Sequence, residues 1–319
     1  MLNKNKKIIL QIDHIESLDF ASDSTMLIAS EFQQRGYEVY YLHPTDLVWQ
    51  QNSLYAQATA IKISQSRYTK LSPSNLISLQ DFAVVLIRQN PPFNQQYLTT
   101  THLLETLPNC YFMNHPEALR NVAEKLSILN FPEYIPQTMV CHSLEQAQSF
   151  ITHNKICVAK SLYGFGGNEV IKINKDNKKT IHNLTAMFAK HGFLMLQEYL
   201  PDVSEFGDKR VIIIAGKVIG AIQRIPRDGD FRANSILGGT LHATHLTISE
   251  KKMSIKIARF IHKKNILLAG IDLLNEKLLE INVTSPTCLV ALNKLTKINC
   301  EKVIVDHIEK KLKGDILSK

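Results

Sequence analysis

The chain has 319 residues, 45% hydrophobic and 21% charged, with a formal net charge of +8. That balance suits a globular protein of about two or three domains, and no apolar run approaches the ~18–20 residues that span a bilayer. Nucleic acid is not expected as a partner despite the charge, because the lysines lie in short patches with no interleaved aromatics that could stack on bases (Lys4, Lys6 and Lys7; Lys172 to Lys179; Lys251 and Lys252; Lys310 to Lys313).

Taken in order, "KKIILQID" reads as a strand, since Asp13 breaks the apolar run early and no small-residue cleavage site of a signal peptide follows. "DSTMLIASEFQQRG" has apolar residues at helical spacing and stops at Gly36. "YEVYYLHP" and "FAVVLIRQ" are strands closed by prolines, "NPPFNQQYLTTTHLLETL" turns into a helix, and "CYFMN" is a short buried strand. This rhythm predicts a parallel sheet covered by helices. "NHPEALRNVAEKLSIL" is predicted as a helix with Asn114 as its cap and Pro116 in its first turn. "ICVAK" and "EVIKI" are strands flanking the glycine-rich loop "SLYGFGGN". "TIHNLTAMFAKHG" is helical and "FLMLQEYLP" is a strand. Two hairpins follow, one turning at Ala215 and Gly216, the other over Asn275, Glu276 and Lys277. The polar stretch 226–243 is too long for a simple turn and reads as a functional loop or lid. The five cysteines are scattered and odd in number, which fits reduced thiols in the cytoplasm better than a disulfide framework.

The second hairpin carries the first chemical signal. A three-residue loop pairs Leu274 with Leu278, and two steps further out Asp272 faces Glu280. Like charges directly opposite each other destabilise a sheet, and a divalent cation between them reverses that penalty. Asn282 adds a third oxygen on the same face, a set that suits a hard cation such as Mg²⁺. A two-residue loop would shift this pairing by one, and the bland alternative is a solvated sheet face. Gly164, Gly166 and Gly167 free the backbone to approach a phosphate, with Lys160 at the end of the incoming strand as a point charge. Neither the Walker pattern nor a dinucleotide fingerprint is present, and a plain hairpin turn is the alternative. Arg210, Arg224 and Arg232 fall within a short span and suit capture of carboxylates, unless they are ordinary surface arginines.

Phosphate loop, oxygen cluster and arginines together are the equipment for activating a carboxylate with ATP. The whole chain resembles the bacterial glutathione synthetases of the ATP-grasp superfamily. The segments that carry the likeness are "RGYEVYYL", "IRQNPPF", "NHPEALRNVAEKL", "LMLQEYLP", "GDKRVIII", "RIPRDGDFRAN", the glycine pair 238–239, "GIDLL" and "EINVTSPTC". The resemblance implies an α/β fold of the ATP-grasp type. It implies an N-terminal Rossmann-like pre-ATP-grasp domain over 1–120, a lid over 121–200 and a C-terminal lobe over 201–319. It also implies ligation of γ-glutamylcysteine to glycine in the cytoplasm with ATP hydrolysed, in a homo-oligomer with small-molecule substrates and Mg²⁺, or Mn²⁺ in its place.

By the same resemblance Lys125 and Lys160 contact phosphates, and the loop from Gly164 to Gly167 covers them. Glu198, Tyr199 and Leu200 form the adenine hinge, and Asp208 lies near the ribose. Asp272, Glu280 and Asn282 hold the metal. Arg210, Arg224, Arg232, Asn234, Gly238, Gly239 and Ser285 face the peptide or its acyl phosphate, with Arg210 and Lys160 as the catalytic pair. Related sequences carry Lys and Asp where Gln89 and Asn90 stand, Arg where Thr240 stands, and Pro and Asp where Ser161 and Tyr163 stand. The metal oxygens and both lysines are spared, so an active enzyme is expected. The rivals are an ATP-grasp ligase for another peptide or amine, and a non-catalytic nucleotide-binding relative.

Overall fold

The computed structural model describes residues 6–64, 67–167, 169–227 and 239–317. Among them the chain builds three sheets. The first joins β1 (Lys7–Gln11), β2 (Glu38–Leu42), β3 (Leu47–Gln50), β4 (Ser53–Ser64), β5 (Arg67–Lys70), β6 (Asn75–Ser78), β7 (Val84–Ile87) and β8 (Tyr111–Met113). Its parallel heart runs β2-β1-β7-β8, as the βαβ rhythm predicts, with the crossover helices α1 (Ser24–Gln34) and α2 (Gln95–Glu105). All four residues of β7 are buried, which a parallel strand covered on both faces requires. Asp23 caps α1 by accepting from the Met26 amide at 2.8 Å, and Asn94 caps α2 through the Tyr97 amide at 2.9 Å.

The helix predicted from Asn114 is shorter and differently capped. α3 spans Pro116–Asn121 with His115 at its cap, and a separate 3₁₀ turn covers Leu126–Asn130. Asn114 instead turns into the core. Its Nδ2 donates to the carbonyls of Leu268 (2.8 Å) and Val283 (2.7 Å), and its Oδ1 accepts from the amides of Leu267 (2.8 Å) and Leu268 (2.9 Å). Every donor and acceptor of the amide is used, as burial demands, and the end of the first sheet is thereby tied to the third.

The second sheet has the order β11-β10-β12-β9, from β9 (Thr138–Cys141), β10 (Ile156–Ser161), β11 (Val170–Asn174) and β12 (Leu194–Glu198). It is antiparallel throughout, with α4 (Leu144–Asn154) and α5 (Lys178–His191) beside it. Its core of Ala147, Ile151, Cys157, Ala159, Ile173, Leu184, Phe188, Leu194 and Leu196 forms a cluster of its own.

After a single turn, α6 (Val203–Phe206), comes the third sheet. Its order is β15-β14-β13-β16-β17, from β13 (Asp208–Ile214), β14 (Lys217–Ile225), β15 (Thr240–Ala243), β16 (Leu268–Leu274) and β17 (Lys277–Asn282). α7 (Ile248–Lys263), α8 (Leu289–Thr296) and α9 (Cys300–Leu317) complete the chain. The hydrophobic clusters of the first sheet run on into the third, so these two share a core. Arg35, which caps the C-terminus of α1, reaches Asp306 at 2.7 Å and Glu309 at 2.9 Å on α9.

Candidate active site

A cleft of about 1090 Å³, open mouth included, lies between the second and third sheets. Its floor is a row of charges set by strand register. On β13 and β14 Asp208 stands opposite Arg224, on β13 and β16 Arg210 stands opposite Asp272, and on β16 and β17 Asp272 stands opposite Glu280. The last pairing is the predicted one, reached by another route. The hairpin loop has two residues, Asn275 and Glu276, both at positive φ, and Leu274 pairs with Lys277. An extra residue, Leu279, then bulges between the pairs Leu273–Leu278 and Asp272–Glu280 and corrects the register. Leu278 and Ile281 are fully buried, whereas Leu279, Glu280 and Asn282 line the cleft.

The arginines are committed to carboxylates. Arg210 donates from Nε (2.5 Å) and Nη2 (2.9 Å) to Asp272, and Arg224 from Nε (2.7 Å) and Nη2 (2.5 Å) to Asp208. Arg224 Nη2 also lies 2.9 Å from Asp272 Oδ2. Burial disfavours the Asp272 carboxylate, but Arg210 and then Arg224 outweigh it and hold the carboxyl well below its ordinary range. Asp208 goes the other way: burial raises it, only partly offset by Arg224, so a proton entering the pair settles first on Asp208. Asn282 donates Nδ2 to Asp272 Oδ2 at 3.2 Å, which leaves its carbonyl oxygen for another partner. Glu280 is met by Lys125 at 3.2 Å. Two carboxylates and an amide oxygen on one face are hard donors, and this set fits a hard divalent cation.

The roof carries Lys160 on β10, whose ammonium donates to Gln197 Oε1 at 2.7 Å. Burial lowers its pKa from 10.5 to about 8, with Glu280 pulling the other way. Lys125 donates to the Gly164 carbonyl at 2.6 Å and so holds the glycine loop down. Gly166 (φ +68) and Gly167 (φ +76) take the left-handed backbone that suits glycine. At the cleft's end Val158, Val170, Tyr199, Leu200, Leu274 and Leu279 form an apolar slot, and Lys172 sits 3.6 Å from the Tyr199 ring centroid.

Lys125, Lys160, Gly164, Gly166, Gly167, Glu198, Tyr199, Leu200, Asp208, Arg210, Arg224, Asp272, Glu280 and Asn282 therefore all line one cleft. Ser285 stands apart from it, with Oγ bonded to Asn90 Oδ1 at 2.9 Å, and Gly239 immediately precedes β15. Arg232, Asn234 and Gly238, with most of the 226–243 stretch, lie outside the described residues. Sequence reasoning missed Glu124, Gln197 and Glu169. Glu124 accepts from the amides of Val283 (2.7 Å) and Thr284 (2.9 Å), and burial followed by Glu280 raises its pKa. Its place beside Lys125 was the available hint. Glu169 takes Ser161 Oγ at 2.6 Å and Lys190 at 2.8 Å, and nothing in its local sequence marks it.

A nucleotide-sized cleft between two antiparallel sheets, with lysines and a glycine loop above and a carboxylate row below, defines an ATP-grasp ligase. Solved structures carry the same fold. A D-cycloserine synthetase matches with a TM-score of 0.68 at 12% identity, covering 94% of this chain and 99% of its own. D-alanyl-alanine synthetase A of Vibrio cholerae matches at 0.64 and 14% identity, covering 97% and 99%.

The sequence narrows the class. The model for the prokaryotic glutathione synthetase N-terminal domain matches residues 7–120, and that for the ATP-grasp domain of the same synthetase matches 124–297. Glutathione synthetase of Agrobacterium fabrum is 33% identical over 313 residues, 97% of this chain and 98% of the relative. That of Buchnera aphidicola subsp. Schizaphis graminum is 33% identical over 317 residues, again 97% and 98%. The chain belongs to the prokaryotic glutathione synthetase family, and it is an ATP-dependent ligase. Among the described residues no helix is long and apolar enough to cross a membrane.

Proposed function

We propose that the chain joins the cysteinyl carboxylate of γ-glutamylcysteine to the amine of glycine, giving glutathione, ADP and phosphate through an acyl phosphate. The observation that carries this reading is the convergence of Lys125, Lys160, Asp272, Glu280 and Asn282 on one cleft in a chain matched end to end by the family. Asp272, Glu280 and Asn282 would hold Mg²⁺, or Mn²⁺ in its place, and the bound ion would neutralise charge on the nucleotide phosphates.

In the first step a carboxylate oxygen of the dipeptide attacks the γ-phosphorus and the bond to the bridging oxygen of ADP breaks. Lys160 and Lys125 lend positive charge to the moving phosphoryl group, and the amides of the glycine loop cradle it. The apolar slot with Tyr199 and Leu200 takes the base, beside Glu198, and Asp208 lies toward the ribose. In the second step the glycine amine attacks the acyl carbon and phosphate leaves with the bonding pair. Arg210 and Arg224 fix the floor against which the acyl phosphate sits, Arg210 with Lys160 acting closest to the transferred group. Arg232, Asn234, Gly238, Gly239 and Ser285 complete the peptide side. Water would hydrolyse the intermediate, so the second sheet, which forms a cluster of its own with α4 and α5, acts as a closing lid. We assign 1–120, 121–200 and 201–319 as the three domains of a cytoplasmic homo-oligomer.

Purified protein supplied with ATP, Mg²⁺, γ-glutamylcysteine and glycine should release the tripeptide and ADP in equal amounts. Turnover only with another dipeptide or amine from a panel would favour a different ligase. Nucleotide binding without ADP release would favour a non-catalytic relative.

A further inference from the structure

The glycine loop joins β10 to β11. Its first stem ends at Ser161, the last residue of β10, and its second at Glu169, just before β11. The Ser161 amide donates to the Glu169 carbonyl at 3.1 Å, which closes the hairpin through the backbone. The side chains close it a second time. Ser161 Oγ donates to Glu169 Oε2 at 2.6 Å, whereas Oε1 takes Lys190 Nζ at 2.8 Å and lies 3.3 Å from His191 Nε2. Lys190 and His191 are the last two residues of α5. One carboxylate therefore ties both stems of the loop to the end of a helix that packs on the second sheet.

The tie reaches the loop itself. A Cβ at Gly164 would overlap both Ser161 Oγ and Glu169 Oε2, so the loop backbone lies directly against this pair. Lys125 donates to the Gly164 carbonyl at 2.6 Å, and the Phe93 amide donates to the Tyr163 carbonyl at 3.3 Å. Gly164 is thus gripped between a carboxylate anchored on α5 and a lysine from outside the second sheet. Glycine-rich segments lose much freedom when they are ordered, and a stem fixed in advance lowers that cost at the moment of binding.

Glu169 also lines the same cleft as Lys125 and Lys160. Burial works against its charge, but the bonds from Lys190 and Ser161 outweigh burial and hold the carboxyl below its ordinary range. An ionised carboxylate on the phosphate side of a nucleotide cleft repels the nucleotide unless its charge is taken up elsewhere. Here one oxygen is taken up by a hydroxyl and the other by a cation.

We propose that Glu169 is a positioning residue for ATP, holding the glycine loop through Ser161 and Lys190 so that the loop amides meet the nucleotide phosphates. It touches no reacting atom. The proposal rests on the nucleotide site described above and adds the group that shapes its phosphate loop.

Wild type, Glu169→Gln, Ser161→Ala, Ser161→Thr and Lys190→Met would be titrated calorimetrically with Mg·ATP. Their KM values for ATP and γ-glutamylcysteine would be measured, with adenosine as a competitor that fills the base slot alone. Glu169→Gln and Ser161→Ala should each weaken Mg·ATP binding roughly tenfold, the scale of a lost hydrogen bond to a charged group. The KM for ATP should rise in step, while the KM for γ-glutamylcysteine and the inhibition constant of adenosine stay within about twofold of wild type. Ser161→Thr keeps the hydroxyl and should bind Mg·ATP as wild type does. Lys190, with its side chain 69% exposed, contributes less, so Lys190→Met should fall between wild type and Glu169→Gln. Equal losses toward Mg·ATP and adenosine would overturn the proposal, since Glu169 would then only hold the second sheet together. Tighter Mg·ATP binding by Glu169→Gln would also overturn it, because the carboxylate would then act on the nucleotide by repulsion. Should Glu169→Gln not fold, Ser161→Ala and Ser161→Thr decide, and equal Mg·ATP affinity in those two overturns the proposal. Wild type that binds Mg·ATP without turning over γ-glutamylcysteine would count against the proposed reaction alone, and the titrations would still judge the loop. Wild type that binds no Mg·ATP would overturn the nucleotide site, and the role of Glu169 with it.

Discussion

Single side chains carry the charge logic of the cleft. Glu280 is opposed by Asp272 and met by Lys125, so Glu280→Gln keeps the shape and removes one charge from the oxygen set. Turnover should fall by at least about a thousandfold, the loss expected when a main electrostatic partner goes, with the circular dichroism spectrum unchanged. An unaltered rate would sink the metal assignment. Lys160 gives a pH test. Its pKa of about 8 means that the free protein loses this charge as pH climbs through 8, so kcat/KM for ATP should decline there. Lys160→Arg keeps the charge and should move the alkaline limb upward by a unit or more, whereas an unmoved limb would show that another group controls it. Stability has the opposite sign. Between pH 8 and the ordinary 10.5 the unfolded chain binds the Lys160 proton and the folded chain does not, so this group favours folding increasingly as pH rises across that interval. The oxygen triad was legible because its spacing is local to one hairpin. The counter-ions of Arg210 and Arg224 were not, since cross-strand register decides them.

At the scale of elements, the floor depends on close approach between strands. A Cβ at Gly270 would stand 2.8 Å from Arg210 Cδ and 3.2 Å from its Nε and Nη1. Gly270→Ala should therefore push the guanidinium off Asp272. The expected result is a drop of roughly 10–100-fold in kcat with a modest shift in denaturation midpoint. Full activity would mean that the Arg210–Asp272 contact is dispensable. Most elements were legible from periodicity and turn residues, including the Ala215–Gly216 turn at positive φ. The strands from 47 to 78 were not. β3, β5 and β6 are short and largely exposed, so they carry no apolar alternation to read, and only β4 alternates over part of its length. Asn114 was misread because Asn two residues ahead of a first-turn Pro is a cap signal, while its real partners lie more than 150 residues away.

In the whole molecule, the first and third sheets share a core, and the second has a cluster of its own beside Met195, which joins the shared one, so a nucleotide bound in the cleft would add contacts between the second sheet and the third. Nucleotide at a hundred times its Kd should stabilise the protein by about 2.7 kcal/mol, visible as a rise of several degrees in Tm. Lys160→Met should lose most of that rise. A variant that keeps the full rise would place the phosphates elsewhere. The parallel heart of the first sheet was legible from the order of strands and helices, whereas a division into three domains was expected from the family resemblance alone. How the second sheet sits over the third was not legible, because long-range contacts such as Lys125 to Gly164 and Glu124 to Val283 leave no local pattern.

The bulge at Leu279 has a further consequence. It puts two consecutive side chains, one greasy and one acidic, on the same surface, and everything after it keeps that phase. Removing Leu279 would straighten the arm without turning it: Leu278 would stay in the core, Glu280 would still face Asp272, and the cleft would lose one apolar wall. Removing Ile281 instead would swing Asn282 into the layer where Ile281 now packs and take its oxygen out of the cleft.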